Sequence, residues 1–332
     1  YPRVEPYVGY GTGDYSRLIC RTVYAPKHAQ SGELIRGIRG MLAIPAPRTH
    51  VQASIDDMPL NTVQIGVSEV YDKVDRTRDL GSEYAISDSA GYLDLVAEHR
   101  LVPGIHRVSY SVANRKPVSA NLYTIPASAK VGIISDVDDT IMITQAPVPW
   151  KAAYNLLFLD PKKKASVPGM SVLFTRIADL FPGAPFFYLS TSPWNVESSI
   201  RNFITDHGFP EGPLLLRDLD PRPKTFVPTG PQHKLEFAEQ LMADFPDMKF
   251  ILVGDDGQKD PTTYATIARR YPGRVLAIVI RELSPRESTG LASVTGLTST
   301  QPTPVTDVPV FTGTTGSNIL KTMLPYLKTV LR

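Results

Sequence analysis

Short apolar runs, broken at intervals by Pro, Gly and Asp, dominate the first part of the chain. Residues 35–44, 62–67, 92–96 and 106–113 carry β-branched and apolar side chains over a strand's length. Asp88-Ser89-Ala90-Gly91 predicts a turn between two of these strands, because Asp and Gly accept turn geometry at low cost. Strands at this spacing, with few helical stripes, predict a small β-rich, sandwich-like domain over residues 1–128. Gly9-Tyr10-Gly11-Thr12-Gly13 has no strand before it and no clear helix after it. It therefore reads as a flexible loop and not as a phosphate-binding loop.

From residue 129 the pattern changes to strand and helix in alternation. Apolar runs at 131–135, 186–190, 214–216, 250–253 and 275–280 have the length of buried parallel strands. Ser192-Pro193 predicts a helix start, with a cap followed by proline at the first position. Val196, Ile200, Phe203 and Ile204 then form one face, and Gly208 ends the helix. Leu235, Ala238, Leu241, Met242 and Phe245 make a second stripe, and Asp260-Pro261 opens a third with Tyr264, Ile267 and Ala268. The alternation predicts an α/β fold, a doubly wound and mainly parallel sheet, over residues 129–332. Within it, residues 284–316 are rich in Ser, Thr, Pro and Gly and predict a loop-like insertion with a short strand at 308–311. Residues 318–330 predict a closing helix with Ile319, Met323 and Leu327 on one face.

Bulk composition mainly excludes. At 332 residues the chain can bury two cores. A formal net charge of +2 gives no reason to expect nucleic acid as a partner. The single cysteine, Cys20, excludes an internal disulfide framework and a cysteine zinc cluster, and fits a reducing compartment. No apolar run approaches the ~18 residues of a membrane-spanning helix. The chain begins at Tyr1 without a methionine or signal-like segment, which reads as trimmed or processed. The expectation is a cytoplasmic location that extends to the periphery of membranes.

The chemistry lies at the strand ends. The run 131–135 leads straight into Asp136-Val137-Asp138-Asp139-Thr140. The run 186–190 ends at Ser190-Thr191-Ser192, and the run 250–253 at Gly254-Asp255-Asp256-Gly257-Gln258-Lys259-Asp260. In a parallel sheet these segments share one edge, where ligands gather. Carboxylates crowded together raise each other's pKa unless a cation neutralises them. Mg2+ suits a site of few carboxylates completed by water and a substrate phosphate. An EF-hand does not fit, since Ile141 and Pro147 stand where Gly and Glu would be needed. A carboxylate can attack phosphorus, a second can serve as general acid and base, and a lysine with hydroxyls can hold the phosphoryl oxygens.

Asp136-x-Asp138-x-Thr140, Ser190, Lys234 and Gly254-Asp255 through Asp260 resemble, in order, the four motifs of the haloacid dehalogenase superfamily. Residues 130–283 are similar to the catalytic domain of the App1 family, which includes magnesium-dependent phosphatidate phosphatases. The similarity rests on Ile134-Ser135-Asp136-Val137-Asp138-Asp139-Thr140-Ile141, on Phe187-Tyr188-Leu189-Ser190-Thr191-Ser192-Pro193-Trp194-Asn195 and on Gly254 through Pro261. The resemblance implies Asp136 as nucleophile and Asp138 as general acid and base. It implies Thr140, Ser190, Thr191 and Lys234 as phosphate-binding residues. Asp136, Asp255 and the Asp138 carbonyl would hold Mg2+, with Asp256 and Asp260 in the same metal site. One position departs from the family pattern: Asp256 replaces the serine of Gly-Asp-Ser-Gly. The expected substrate is phosphatidate, a phospholipid, giving diacylglycerol and phosphate. The alternatives are a soluble or protein-bound phosphomonoester, or a scaffold with a vestigial phosphatase domain whose N-terminal domain recruits partners.

Plainer readings compete at several positions. Asp138 and Asp139 are also turn residues, and Asp260 is also a helix cap before Pro261. Trp194 reads as packing. Arg217-Asp218 reads equally as a surface pair or a head-group contact. Lys162-Lys163-Lys164 reads as a solvated charged turn, with attraction to anionic lipid as the functional alternative. The spacing between motifs leaves room only for a small lid, which suits a large substrate.

Overall fold

The computed structural model describes residues 1–24, 43–60, 63–65, 85–143, 164–217, 230–257, 259–285 and 306–331. Two sheets organise them. The first is built from β1 (Pro2–Pro6), β2 (Gly9–Gly11), β3 (Tyr15–Tyr24), β4 (His50–Ile55), β5 (Met58–Pro59), β6 (Val63–Ile65), β7 (Ala85–Ile86), β8 (Tyr92–Glu98), β9 (Gly104–Ser111) and β10 (Val118–Thr124). Their order is β5-β4-β9-β10-β2-β3-β8-β6, with β1 on β3 and β7 on β4. All of these pairs are antiparallel except β10 with β2. Period-two burial runs along the strands, as in Ser16, Leu18, Cys20 and Thr22 of β3 and Val51, Ala53 and Ile55 of β4. Leu18, Cys20, Val51, Leu95, Val108 and Leu122 share one core.

The turn at Asp88 is present. Its Oδ1 accepts from the Ala90 and Tyr92 amides at 2.8 Å each. Residues 63–65 and β8 and β9 fall where strands are expected, while 35–42, 62, 66 and 67 lie outside the described residues. The glycine-rich segment differs from its reading as a flexible loop. Gly9–Gly11 is β2, paired on both sides. A Cβ on Gly11 would lie 2.1 Å from the Tyr15 carbonyl oxygen, so glycine serves close strand approach there.

The second sheet contains β11 (Val131–Asp136), β14 (Phe186–Pro193), β15 (Leu214–Arg217), β16 (Lys249–Asp255), β17 (Val275–Arg281) and β18 (Val310–Gly313). It is parallel, in the order β15-β14-β11-β16-β17-β18. The order reverses at β11, the place where open α/β sheets bind ligands. A two-stranded antiparallel sheet, β12 (Met142–Ile143) with β13 (Ala165–Ser166), follows β11.

The helices are α1 (Met170–Leu180), α2 (Glu197–Asp206), α3 (Gly230–Asp244), α4 (Asp260–Arg270) and α5 (Gly316–Val330). Ile177 of α1, Ile200 of α2 and Ile319 of α5 pack with Ile133 and Ile251 on one side of the sheet. Leu241 of α3 and Ile267 of α4 pack with Ile134 and Leu252 on the other. Neighbouring strand residues thus face opposite layers, and both layers are covered. In α5, Ile319, Met323 and Leu327 are fully buried, each worth ~1.5–3 kcal/mol against exposure.

Two local expectations are corrected. Ser192 and Pro193 belong to β14, not to the start of a helix. A 3-10 turn at Trp194–Val196 separates them from α2, and Ser192 caps nothing because it is buried in the strand. Helix α1 was not expected, although Met170, Leu173, Phe174 and Ile177 repeat at helical spacing. Of the insertion at 284–316, residues 286–305 lie outside the described residues, and β18 supplies the expected short strand. No helix among the described residues is long and apolar enough to cross a membrane.

Candidate active site

Asp136 ends β11, and the chain then turns sharply. Asp139 takes a left-handed backbone, φ 58°, which Asp tolerates better than most residues. The turn is held from both sides. The Asp139 amide donates to the Met142 carbonyl at 2.8 Å, and Arg281 from the end of β17 donates to the Asp139 carbonyl at 3.1 Å. Held this way, the loop presents Asp136, Asp138 and Thr140 to the same edge of the sheet.

Three carboxylates converge there. Asp136, Asp255 at the end of β16 and Asp260 at the start of α4 each place one oxygen within 4.8 Å of the others. All three are buried. Lys234 from the first turns of α3 enters between them, its Nζ 2.8 Å from Asp136 Oδ1 and 2.5 Å from Asp260 Oδ1. Thr140 donates to Asp136 Oδ2 at 3.1 Å, with Asp255 Oδ2 at 3.4 Å. The Gly257 amide donates to Asp255 Oδ1 at 2.8 Å, and the Asp255 amide to Asp260 Oδ2 at 3.3 Å. Gly254 makes the approach possible. A Cβ there would lie 2.4 Å from Asp260 Oδ2 and 2.8 Å from the Tyr264 ring.

The electrostatics follow from burial and crowding. Burial, opposed by Lys234 and reinforced by Asp260 and Asp138, pushes Asp136 up to about 8. Burial, Asp260 and Asp136 raise Asp255 well above the carboxylate range. Burial alone would lower the Lys234 ammonium, but Asp136, Asp260 and Asp255 hold it above its ordinary value. When ionised, the three buried carboxylates exceed the one ammonium in charge, and a hard divalent cation would neutralise the excess. The donor set is all oxygen, as Mg2+ requires, so the residues present fit that ion.

Asp138 stands beside this cluster and is half-buried. The Ser190 hydroxyl donates to its Oδ2 at 2.9 Å, and Ser190 Oγ accepts from the Ser192 amide at 3.0 Å. Burial raises Asp138, opposed by Ser190, Lys234 and Lys164. Thr191 is half-buried next to Ser190. Asp256 is not brought to the cluster. Its Oδ1 accepts from the Leu283 amide at 2.8 Å, tying the loop to the segment after β17.

Three residues near the site escaped the sequence reading or were misread. Lys164 is buried, not part of a solvated turn, and donates to Ser199 Oγ at 2.5 Å. Burial lowers its ammonium to about 8, with Asp138 pulling the other way. Residues 162 and 163 lie outside the described residues. His233, next to Lys234, is buried, and burial with Arg217 nearby pushes its imidazole down to about 3. Arg281, the anchor of the Asp139 turn, lies at a strand end that carried no motif. Trp194 stacks on Tyr7 with ring centroids 5.1 Å apart, which bears out its reading as packing. Asp218 lies outside the described residues.

Residues 131–282 match the family of the phosphatidate phosphatase APP1 catalytic domain. Over this segment the chain is similar to that family. Over 211 residues it is 29% identical to phosphatidate phosphatase APP1 of Saccharomyces cerevisiae, covering 61% of this chain and 35% of that protein. Over 176 residues it is 26% identical to an uncharacterized protein of Schizosaccharomyces pombe, covering 52% of this chain and 29% of that protein. The chain thus spans about a third of the length of these relatives. Among solved structures, the adhesin InvE of Yersinia pseudotuberculosis matches with a TM-score of 0.22 and 11% identity over 39% of this chain and 32% of that one. A likeness at that level says nothing about this chain's function.

Proposed function

We propose that the chain hydrolyses phosphomonoesters with Mg2+, through an aspartyl-phosphate on Asp136, and that its substrate is phosphatidate. The observation that carries the reading is the buried convergence of Asp136, Asp255 and Asp260 around Lys234 where the sheet order reverses. Asp136, Asp255 and Asp260 would hold the ion, which supplies charge neutralisation for the phosphoryl group.

Asp136 attacks phosphorus in line with the ester oxygen. Lys234, Ser190, Thr191 and Thr140 surround the equatorial oxygens, whose charge they stabilise. Asp138 gives its proton to the departing alcohol. Burial raises Asp138 above the ordinary carboxylate value, the direction a general acid needs. Asp138 then takes a proton from water, which cleaves the aspartyl-phosphate and restores Asp136.

The finer fold readings belong with this proposal. A parallel sheet whose central strand delivers the nucleophile, followed by the antiparallel β12/β13 pair, supports a haloacid dehalogenase-like unit. One core filled from β3, β4, β8, β9 and β10 supports a sandwich-like arrangement of the first sheet. The division into domains at 128/129 is consistent with the gap between β10 and β11. Phosphatidate is supported by the name of the Saccharomyces relative. A buried Lys164 removes one of the three charges that the alternative reading assigned to anionic lipid, so peripheral membrane contact would need other residues.

The test is phosphate release from phosphatidate in mixed micelles and from an aryl phosphate, with Mg2+ or EDTA. Mg2+-dependent release from phosphatidate is the expected result. Release from the aryl phosphate alone would assign a soluble or protein-bound substrate instead.

A further inference from the structure

Asp244 ends α3, ten residues and ~15 Å along the helix from Lys234. A carboxylate there faces the negative end of the helix dipole, and its side chain is fully buried. Its partners all come from the first sheet. Arg17 of β3 makes a two-pronged pair, Nε to Oδ2 at 2.7 Å and Nη2 to Oδ1 at 2.9 Å. The Tyr10 hydroxyl of β2 donates to Oδ2 at 2.9 Å, and the Tyr15 hydroxyl to Oδ1 at 2.8 Å. Gln240, one turn back on α3, donates to the Tyr10 hydroxyl at 2.6 Å.

The same sheet also reaches the continuation of β14. The Tyr10 ring meets Phe187 edge-on at 5.7 Å and lies against Phe245. Tyr7 stacks on Trp194, four residues past Ser190. These contacts fall on or just past β14 and α3, which carry Ser190 and Lys234, and not on β11, β16 or α4, which carry Asp136, Asp255 and Asp260. A fork of two hydrogen bonds fixes orientation as well as distance. Two phenols added to it fix the axial position and rotation of the end of α3.

We infer that Arg17, Tyr10 and Tyr15 are positioning residues for the phosphate-binding side of the site, acting through Asp244 and helix α3 on Lys234. The first sheet is then a working part of the catalytic unit and not a detachable recruiting module. The inference rests on the phosphate-binding role proposed for Lys234 and Ser190, and extends it to residues outside the matched family segment.

The experiment uses the full chain and reads two affinities by calorimetry: Mg2+ alone, and inorganic phosphate at saturating Mg2+. The variants are Arg17→Met and Tyr15→Phe; the second keeps Asp244 paired and is decisive if the first fails to fold. Weaker phosphate binding, by about twofold to thirtyfold for coupling through a packed element, with Mg2+ affinity unchanged, is the expected result. Unchanged phosphate affinity in a folded variant, or equal weakening of both affinities, would overturn the inference. A wild type that binds phosphate but turns over no ester would sink the hydrolytic reading and leave this one standing. A wild type without phosphate affinity would overturn both.

Discussion

The Lys234 ammonium stands 2.8 Å from the Asp136 carboxylate, with both side chains withdrawn from solvent. Asp260 takes the same ammonium from its other side. A buried cation shared by two carboxylates is costly to break, since removing one partner leaves uncompensated charge. Lys234→Met is expected to abolish phosphate release and to lower stability by about 3–5 kcal/mol in EDTA. Urea unfolding checks the second effect separately from activity.

The carboxylate cluster makes stability without metal depend on pH. Burial first, and neighbouring carboxylates after it, raise Asp136 from 3.8 to about 8, and Asp255 and Asp138 move in the same direction. Over that window the folded chain holds protons that the unfolded chain has released. The stabilising contribution is therefore full below pH 3.8 and is lost as pH rises through about 8. Melting temperatures in EDTA should fall across this window. Mg2+ binds the ionised carboxylates, so it should raise the melting temperature most at the alkaline end. A melting temperature in EDTA that rises with pH over this range would contradict the assignment.

Gly254→Ala tests the steric basis of the site. The added Cβ meets Asp260 Oδ2 and the Tyr264 ring, so Asp260 must move. Overpacking of this kind costs about 1–3 kcal/mol. The expected outcome is weaker Mg2+ binding by calorimetry, beyond any change in melting temperature.

Lys164→Met tests the buried lysine beside Asp138. Lys164 opposes the burial that raises Asp138, so its loss is expected to shift the Asp138-dependent limb of the kcat/KM pH profile to higher pH. Unchanged steady-state kinetics would return Lys164 to a purely structural role with Ser199.

The parts of this architecture that were legible share a physical feature. β11, β14 and β16 are apolar runs that end abruptly in polar residues, so both the strand and its functional end can be read. Asp136, Asp138, Ser190, Asp255 and Asp260 fall together because those ends share one edge, and Lys234 reaches them from α3. β1 and β2 were not legible, since Pro2, Pro6, Gly9 and Gly11 look like loop residues and their pairing depends on distant strands. Lys164 was misread because a run of three lysines does not show which one turns inward. Asp256 was grouped with its neighbours, although adjacent side chains in a turn point to different partners and Asp256 meets the Leu283 amide. The partners of Asp244 come from 227 to 234 residues away, a separation at which no local pattern speaks.

Asp136 is the proposed nucleophile. The most direct measurement is peptide mass spectrometry of protein quenched in acid during turnover of an aryl phosphate with Mg2+. A phosphoryl group on the peptide containing Asp136, absent in Asp136→Asn, is the predicted result. Turnover with no adduct on that peptide, or an undiminished rate in Asp136→Asn, would contradict the account.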